Sequence, residues 1–231
     1  MKDVPKIKGT LIRRYKRFLA DVLLSDGRVV TVHCPNTGSM LECSEPGRTV
    51  WLSLHENSSR KYPYTWELIE MPGSLVGINT SLPNRLIKTA ALEGDIKELK
   101  GYSHARSEVK TGSGSRLDLL LTHPYRSSCY VEIKNCTLVQ EGVAMFPDSV
   151  TKRGQRHLKE LARLVGSGNR GVLFMLIQRM DARFFKPADH IDPEYGRLLR
   201  SSLKTGVELI VYDTDLDPDQ VRLRSPIGIQ L

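Results

Sequence analysis

Short apolar runs of strand length follow one another through the first 80 residues, and no helical period interrupts them. The candidate strands are 9–14, 17–24, 28–34, 48–55, 64–70 and 75–79. Turn signals, Ser25-Asp26-Gly27 and Met71-Pro72-Gly73-Ser74, separate two pairs of these runs. Because closely spaced strands with glycine-containing turns are typical of small barrels, the sequence predicts a barrel or a strongly curved sheet here.

A different pattern begins near residue 81, where Ser81 can cap a helix that has Pro83 in its first turn. A long amphipathic helix follows at roughly 149–165. The other predicted elements are a helix at about 94–105, strands at 107–111, 116–122, 129–135 and 171–178, a helix near 193–204, and strands at 207–213 and 220–224. This mixed order predicts an α/β domain, so we divide the chain into domains 1–80 and 81–231.

Charge and hydropathy narrow the class of protein. The chain carries a net charge of +8, and residues 1–17 hold seven basic side chains against one acid, which favours a polyanionic partner. The longest apolar run, Val172 to Ile177, is far too short to span a membrane, and the first residues lack the apolar core of a secretory signal. We therefore expect a cytoplasmic protein. The four cysteines form no CxxC pair and are predicted to be reduced structural thiols.

Three charged residues interrupt apolar strand-like runs, and charges in buried strands are costly unless something pairs with them. They are Asp118, Glu132 and Lys134. If Tyr125 lies at the centre of a hairpin turn, Asp118 and Glu132 stand opposite each other, and Lys134 shares the face of Glu132. A bound Mg²⁺ would convert the repulsion of the two carboxylates into coordination. The residues alone leave a second interpretation open, in which a charged strand face simply meets water.

The order Glu108 … Asp118 … Glu132-Ile133-Lys134 resembles the core of the PD-(D/E)xK nucleases, with Leu117 where such cores often have proline. The resemblance implies that Glu108, Asp118 and Glu132 hold Mg²⁺. It also implies that Lys134 is the catalytic lysine, so that all four residues are catalytic candidates.

Longer segments resemble the sugar fermentation stimulation protein family. They are Arg14-Tyr15-Lys16-Arg17-Phe18-Leu19-Ala20-Asp21, His33-Cys34-Pro35-Asn36-Thr37-Gly38-Ser39-Met40, Lys61-Tyr62-Pro63-Tyr64-Thr65-Trp66-Glu67-Leu68, Ser107-Glu108-Val109-Lys110 and Phe146-Pro147-Asp148-Ser149-Val150-Thr151-Lys152-Arg153-Gly154. This resemblance implies an OB-like barrel followed by a PD-(D/E)xK nuclease-like α/β domain. It also implies DNA binding with little sequence preference and a link to the regulation of maltose and other sugar metabolism.

Cations and aromatic rings alternate in two segments of the predicted barrel, as they do on OB surfaces that bind nucleic acid. Ordinary strand chemistry also explains such segments, and we leave both interpretations open. The residues expected to contact DNA are Arg13, Arg14, Tyr15, Lys16, Arg17, Asn36, Arg60, Lys61, Lys152 and Arg153. The sequence shows no helix-turn-helix.

Two functions follow from these patterns. The first is a DNA-binding protein with a regulatory role in sugar metabolism, and the alternative is a Mg²⁺-dependent DNA phosphodiesterase. No sequence feature indicates a small-molecule effector.

Overall fold

The computed structural model describes residues 6–55, 60–112 and 114–231. Its first part is a closed barrel, as the sequence predicts. The strands are β1 (Ile7–Tyr15), β2 (Leu19–Leu24), β3 (Val29–His33), β4 (Thr49–Leu54), β5 (Tyr64–Met71) and β6 (Ser74–Gly77). They pair in the order β3-β2-β1-β4-β5-β6, and the pairing of His33 with Thr65 joins β3 to β5 and closes five strands into an OB-like barrel. The indole of Trp66 lies fully buried in its core.

The second part is a six-stranded mixed sheet with helices on both faces. Its elements are α1 (Leu82–Glu93), β7 (His104–Lys110), β8 (Arg116–His123), β9 (Arg126–Cys136), α2 (Lys152–Gly166), β12 (Arg170–Ile177), α3 (Pro193–Lys204), β14 (Glu208–Leu216) and β15 (Val221–Pro226). The sheet order is β15-β14-β12-β9-β8-β7, with β9, β12 and β14 parallel. Helix α1 packs against one face of the sheet, and α2 and α3 pack against the other. This arrangement confirms the predicted α/β fold.

Two features differ from the prediction. The helix predicted over 94–105 is wrong, because Gly94 takes a left-handed φ of 83° and ends α1, and only a 3-10 turn (Lys97–Leu99) follows before β7. A small additional sheet was not predicted. It contains β10 (Leu138–Gln140), β11 (Val143–Phe146), β13 (Phe184–Pro187) and β16 (Gly228–Ile229), whose strands are too short to show a hydrophobic period.

None of the helices in the described part of the chain combines the length and the apolar character that crossing a membrane requires. The four cysteines are free and buried, as predicted. Burial raises the pKa of the Cys43, Cys129 and Cys136 thiols to about 12, so none of these three is a thiolate nucleophile at neutral pH.

The barrel and the α/β part are joined directly by backbone and side-chain hydrogen bonds. The backbone N–H of Gly77 donates to the carbonyl of Gln178 at 2.9 Å. On another side, the Ser39 hydroxyl donates to the carbonyl of Asp148 at 2.7 Å, and the N–H of Met40 donates to the Asp148 carboxylate at 3.0 Å. These bonds fix a loop of the barrel against the α/β part.

We expect Gly77→Ala to lower the free energy of unfolding by about 1–3 kcal/mol, the usual cost of overpacking a filled site. A Cβ at residue 77 would lie 2.5 Å from Oε1 and 2.9 Å from Cβ of the buried Gln178. Urea denaturation measures the change. Gly112→Ala is the control, since a Cβ there meets nothing within 4 Å. Equal stabilities of the two variants would contradict the expectation.

Candidate active-site cleft

The hairpin of β8 and β9 brings the two predicted carboxylates together. Leu119 pairs with Val131, so Asp118 and Glu132 come next in line, although the turn pairs His123 with Arg126 and a register shift separates that pair from the rest. Both side chains line a cleft of about 310 Å³ together with Lys134. The cleft lies between the α/β part and the barrel, because Asn36, Thr37 and Gly38 form part of its wall.

Glu132 is the most buried charged group of the cleft, with 1% of its surface exposed. Its Oε1 atom accepts a hydrogen bond from Lys134 Nζ and also contacts Nδ1 of His157. Burial alone would raise the pKa of Glu132, but Lys134 and His157 more than offset it and hold the pKa below its ordinary value. The carboxylate is therefore ionised at neutral pH. Its second oxygen, Oε2, is buried and has no hydrogen-bond partner in the described part of the chain.

Asp118 is fixed by two donors. Its Oδ2 accepts the backbone N–H of Ile133 at 2.8 Å, and its Oδ1 accepts from Asn84 Nδ2 at 3.1 Å. Burial raises the pKa of Asp118 above its ordinary value, and the negative charge of Glu132 adds to that rise. A carboxylate beside a second negative charge is costly to ionise, and a bound cation would offset that cost.

The oxygen atoms of the cleft can be compared with the ligands that a divalent cation requires. Mg²⁺ takes oxygen ligands and is commonly held by one or two carboxylates, with water and substrate phosphate completing its shell. Within residues 6–55, 60–112 and 114–231, no group of three or more His, Cys, Asp or Glu side chains is arranged to hold a metal. The unpartnered Oε2 of Glu132 and the carboxylate of Asp118 fit a cation whose other ligands come from water and a bound phosphate.

The structure does not bring Glu108 into the cleft. Its position in β7 is next in line to Asp118, between the pairs Ser107–Leu119 and Val109–Leu117. However, Glu108 has a left-handed φ of 55°, and its side chain is 54% exposed and contacts Arg116 at 3.5 Å. Sequence alone gives no sign of this, because a positive φ is uncommon for glutamate.

Several residues of the basic segment at the end of β1, which were predicted to contact DNA, form hydrogen bonds within the chain. The Arg14 guanidinium donates to the carbonyls of Arg17, Asn36 and Gly38 at 2.7, 3.0 and 2.9 Å. It therefore holds the cleft loop 36–39 in place. Lys2, which belongs to the same predicted basic segment, lies outside the described residues.

The neighbouring residues are partly engaged as well. Arg13 Nε and the Tyr15 hydroxyl donate to Asp21 at 2.8 and 3.0 Å. Arg17 Nε donates to the carbonyl of Thr37 at 3.0 Å. Lys16, like Arg13 and Arg17, is exposed.

The remaining predicted contacts lie in three places. Asn36 lines the cleft, where its Oδ1 accepts the N–H of Gly38 at 2.9 Å. Arg153 also lines the cleft, whereas Lys152 is exposed beside it at the start of α2. Arg60 and Lys61 are exposed on the barrel and line a separate groove.

Helix α2 supplies a residue whose part in the site the sequence did not reveal. The Thr151 hydroxyl caps the helix by accepting the N–H of Gly154 at 3.0 Å. This start places His157 on the buried face, where it contacts Glu132. The helical pattern predicts a buried, satisfied histidine, but a partner on another element cannot be identified from periodicity.

Known proteins resemble both parts of the chain. Residues 12–78 match the family described as SfsA N-terminal OB domain, and residues 81–220 match the sugar fermentation stimulation protein RE domain. A sugar fermentation stimulation protein homolog of Pelobacter propionicus is 55% identical over 100% of both chains. One of Geobacter sulfurreducens is 54% identical over 97% of this chain and 96% of its own. The structure of Pyrococcus furiosus SfsA in complex with Ca²⁺ matches with a TM-score of 0.92 and 28% identity, over 100% of this chain and 98% of that one.

Proposed function

The chain belongs to the sugar fermentation stimulation protein family, and from this premise we propose that it binds DNA and hydrolyses phosphodiester bonds in its carboxylate cleft. The observation that carries the proposal is the buried, unpartnered Oε2 of Glu132 beside Asp118. A buried carboxylate oxygen without a partner is costly, so the site is suited to a cation. The Ca²⁺ in the complex of the Pyrococcus furiosus relative supports binding of a divalent cation by this chain.

Each residue of the cleft then has a defined part. Asp118 and Glu132 would hold the cation, which when bound lowers the pKa of a water molecule and stabilises charge on the phosphoryl oxygens. The Lys134 ammonium, at the cleft wall, neutralises a phosphoryl oxygen or orients the attacking water. His157 and the N–H of Ile133 fix the two carboxylates in orientation. Arg153 lies on the wall, where it can contact a flanking phosphate.

The deciding experiment is incubation of single-stranded and double-stranded DNA with the full chain and Mg²⁺ or Mn²⁺. We expect cleavage that EDTA abolishes. If the chain binds DNA but cleaves neither substrate with either metal, the proposed hydrolysis is wrong.

A second candidate function is DNA binding without cleavage, in a regulatory role in sugar (maltose) metabolism. The observation that favours it is that, among the described residues, no third acid joins Asp118 and Glu132 in a group arranged to hold a metal, while Glu108 lies outside the cleft. Retained DNA binding without turnover in the experiment above would support this candidate.

Under either function, DNA affinity should fall steeply as salt increases, because phosphate contacts release counterions. We expect Arg153→Gln to reduce the slope of log affinity against log salt by about 1, the effect of one phosphate contact. Fluorescence anisotropy with labelled DNA measures both slopes. Arg197→Gln is the control, since Arg197 pairs with Glu194 on α3 away from the cleft. A slope near zero for the unmodified protein would contradict DNA binding through phosphates.

A further inference from the structure

A second polar groove lies on the barrel, at the end where β3, β4 and β5 meet. It consists of two adjoining cavities of about 240 and 410 Å³ that share His55, Asn79 and Ser81. A thin wall separates it from the carboxylate cleft. In that wall the Thr80 hydroxyl, on the cleft side, donates to the carbonyl of Pro35, on the groove side, at 2.9 Å.

The larger cavity is lined by cationic and titratable nitrogen groups. They are His33, His55, Arg60 and Lys61. Burial lowers the pKa of His33, and the positive charge of Arg60 and the neighbouring His55 lower it further. The lowered pKa favours the neutral form of His33, so the positive potential of this cavity comes from Arg60 and Lys61, and no carboxylate among its described lining residues offsets it.

The smaller cavity contains one carboxylate, and both of its oxygens are already engaged. Glu67 accepts from the Ser53 hydroxyl at 2.6 Å and from Asn79 Nδ2 at 2.8 Å. Lys6 lines the same cavity, and its Nζ is buried and has no hydrogen-bond partner among the residues that the structure describes. A buried ammonium without a partner is costly, which indicates an acceptor that binds there.

The start of α1 adds to the positive potential. Ser81 stands at the N-cap position, but its side chain accepts no bond from the helix, and the first turn contains no acidic residue. Ser81 and Leu82 line the groove, so the uncapped end of the helix borders it. Helix N-termini bind phosphate readily.

We propose that this groove binds a phosphate group, held by Arg60 and the histidines on one side and reached by Lys6 from the other. Its chemistry suits a free phosphorylated small molecule and the terminal phosphate of a DNA strand equally. The proposal does not depend on hydrolysis in the carboxylate cleft, because the two sites share no lining residue.

The first test is isothermal titration calorimetry of the full chain with inorganic phosphate and with ribose 5-phosphate, in EDTA so that the cleft holds no cation. Arg60→Gln and Lys6→Met should each weaken binding by at least about tenfold, the effect of losing one charge-assisted hydrogen bond. Arg48→Gln is the matched control on the barrel, because Arg48 pairs with Glu45 outside the groove. Thermal unfolding of each variant verifies that it is folded.

Two results would overturn the proposal. One is unchanged affinity in both Arg60→Gln and Lys6→Met. The other is binding that disappears in Lys134→Met while it persists in Arg60→Gln, since the phosphate would then occupy the cleft.

The second test identifies the source of the phosphate by comparing short DNA strands with a 5′-phosphate and a 5′-hydroxyl. Tighter binding of the phosphorylated strand than of the 5′-hydroxyl strand, with a gain that Arg60→Gln removes, assigns the groove to a strand end. Equal binding of the two strands, while ribose 5-phosphate still binds, assigns it to a free phosphorylated molecule. If none of the phosphorylated probes binds, the groove is not a phosphate site, whatever the outcome of the cleavage experiment.

Discussion

Glu132→Gln is expected to reduce Mg²⁺-dependent DNA cleavage by at least about 100-fold, because loss of a group that only supports a metal ligand already costs 10–100-fold. The amide keeps the size of the side chain but removes one of the two negative charges that would hold the cation. It also places an NH₂ group where one of the two carboxylate oxygens lies. Initial cleavage rates at saturating DNA measure the effect, and anisotropy shows whether DNA binding survives.

Glu108→Gln is the matched control for this prediction, since it makes the same chemical change in the same sheet. The Glu108 side chain is exposed and pairs with Arg116, so we expect a cleavage rate within about twofold of the unmodified protein, as is usual for exposed ion pairs of small energy. A loss as large as that of Glu132→Gln would show that Glu108 enters the cleft when substrate binds. Equal rates for Glu132→Gln and the unmodified protein would remove the cleft from the mechanism.

Asp192→Ala is expected to lower the free energy of unfolding by about 3–5 kcal/mol, because it leaves buried donors without an acceptor. The Asp192 carboxylate is 2% exposed and accepts from the N–H of Thr151 at 2.9 Å, the N–H of Tyr195 at 3.0 Å and Gln155 Nε2 at 2.9 Å. It therefore caps α3 and fixes the start of α2 together. Urea denaturation measures the loss.

Asp189→Ala provides the comparison, three residues earlier in the chain. Asp189 forms an ion pair with Arg200 at 2.6 Å, but both side chains are substantially exposed. Exposed pairs contribute up to about 1 kcal/mol, so this variant should remain close to the unmodified protein in stability. If the free energy of unfolding falls by the same amount in both aspartate variants, the three hydrogen bonds of Asp192 do not contribute the stability expected of them.

The sequence predicted those parts of the molecule that depend on local pattern. The barrel strands follow from short apolar runs and glycine turns. Counting outward from Tyr125 also aligns Asp118 with Glu132, but the turn pairs His123 with Arg126, and that alignment depends on a register shift that was not predicted. What it could not supply depends on contacts between distant elements. Arg14 is a residue type that often binds phosphate, yet its guanidinium donates hydrogen bonds to three backbone carbonyls.

The same limit applies to backbone conformation and to partners across the fold. The left-handed φ of Glu108 moves one acid away from a row in which alternation would place it. The contact of His157 with Glu132 joins a helix to a strand 25 residues earlier, and no local period encodes it. The motif therefore predicted the chemical type of the cleft, whereas its final composition was set by tertiary structure.

The cleft can assemble only late in synthesis, because one of its walls is a loop of the barrel and the opposite wall comes much later in the chain. The bond from Ser39 to Asp148 joins residues that are 109 positions apart, although every strand of the barrel has been synthesised by residue 77. Contacts of such long separation form late, because loop-closure entropy must be overcome first. A ribosome-bound chain that has just completed its barrel has the Arg14-held loop but no opposite wall. The growing chain thus has no assembled cleft until at least Asp148, and with it the start of α2, has emerged.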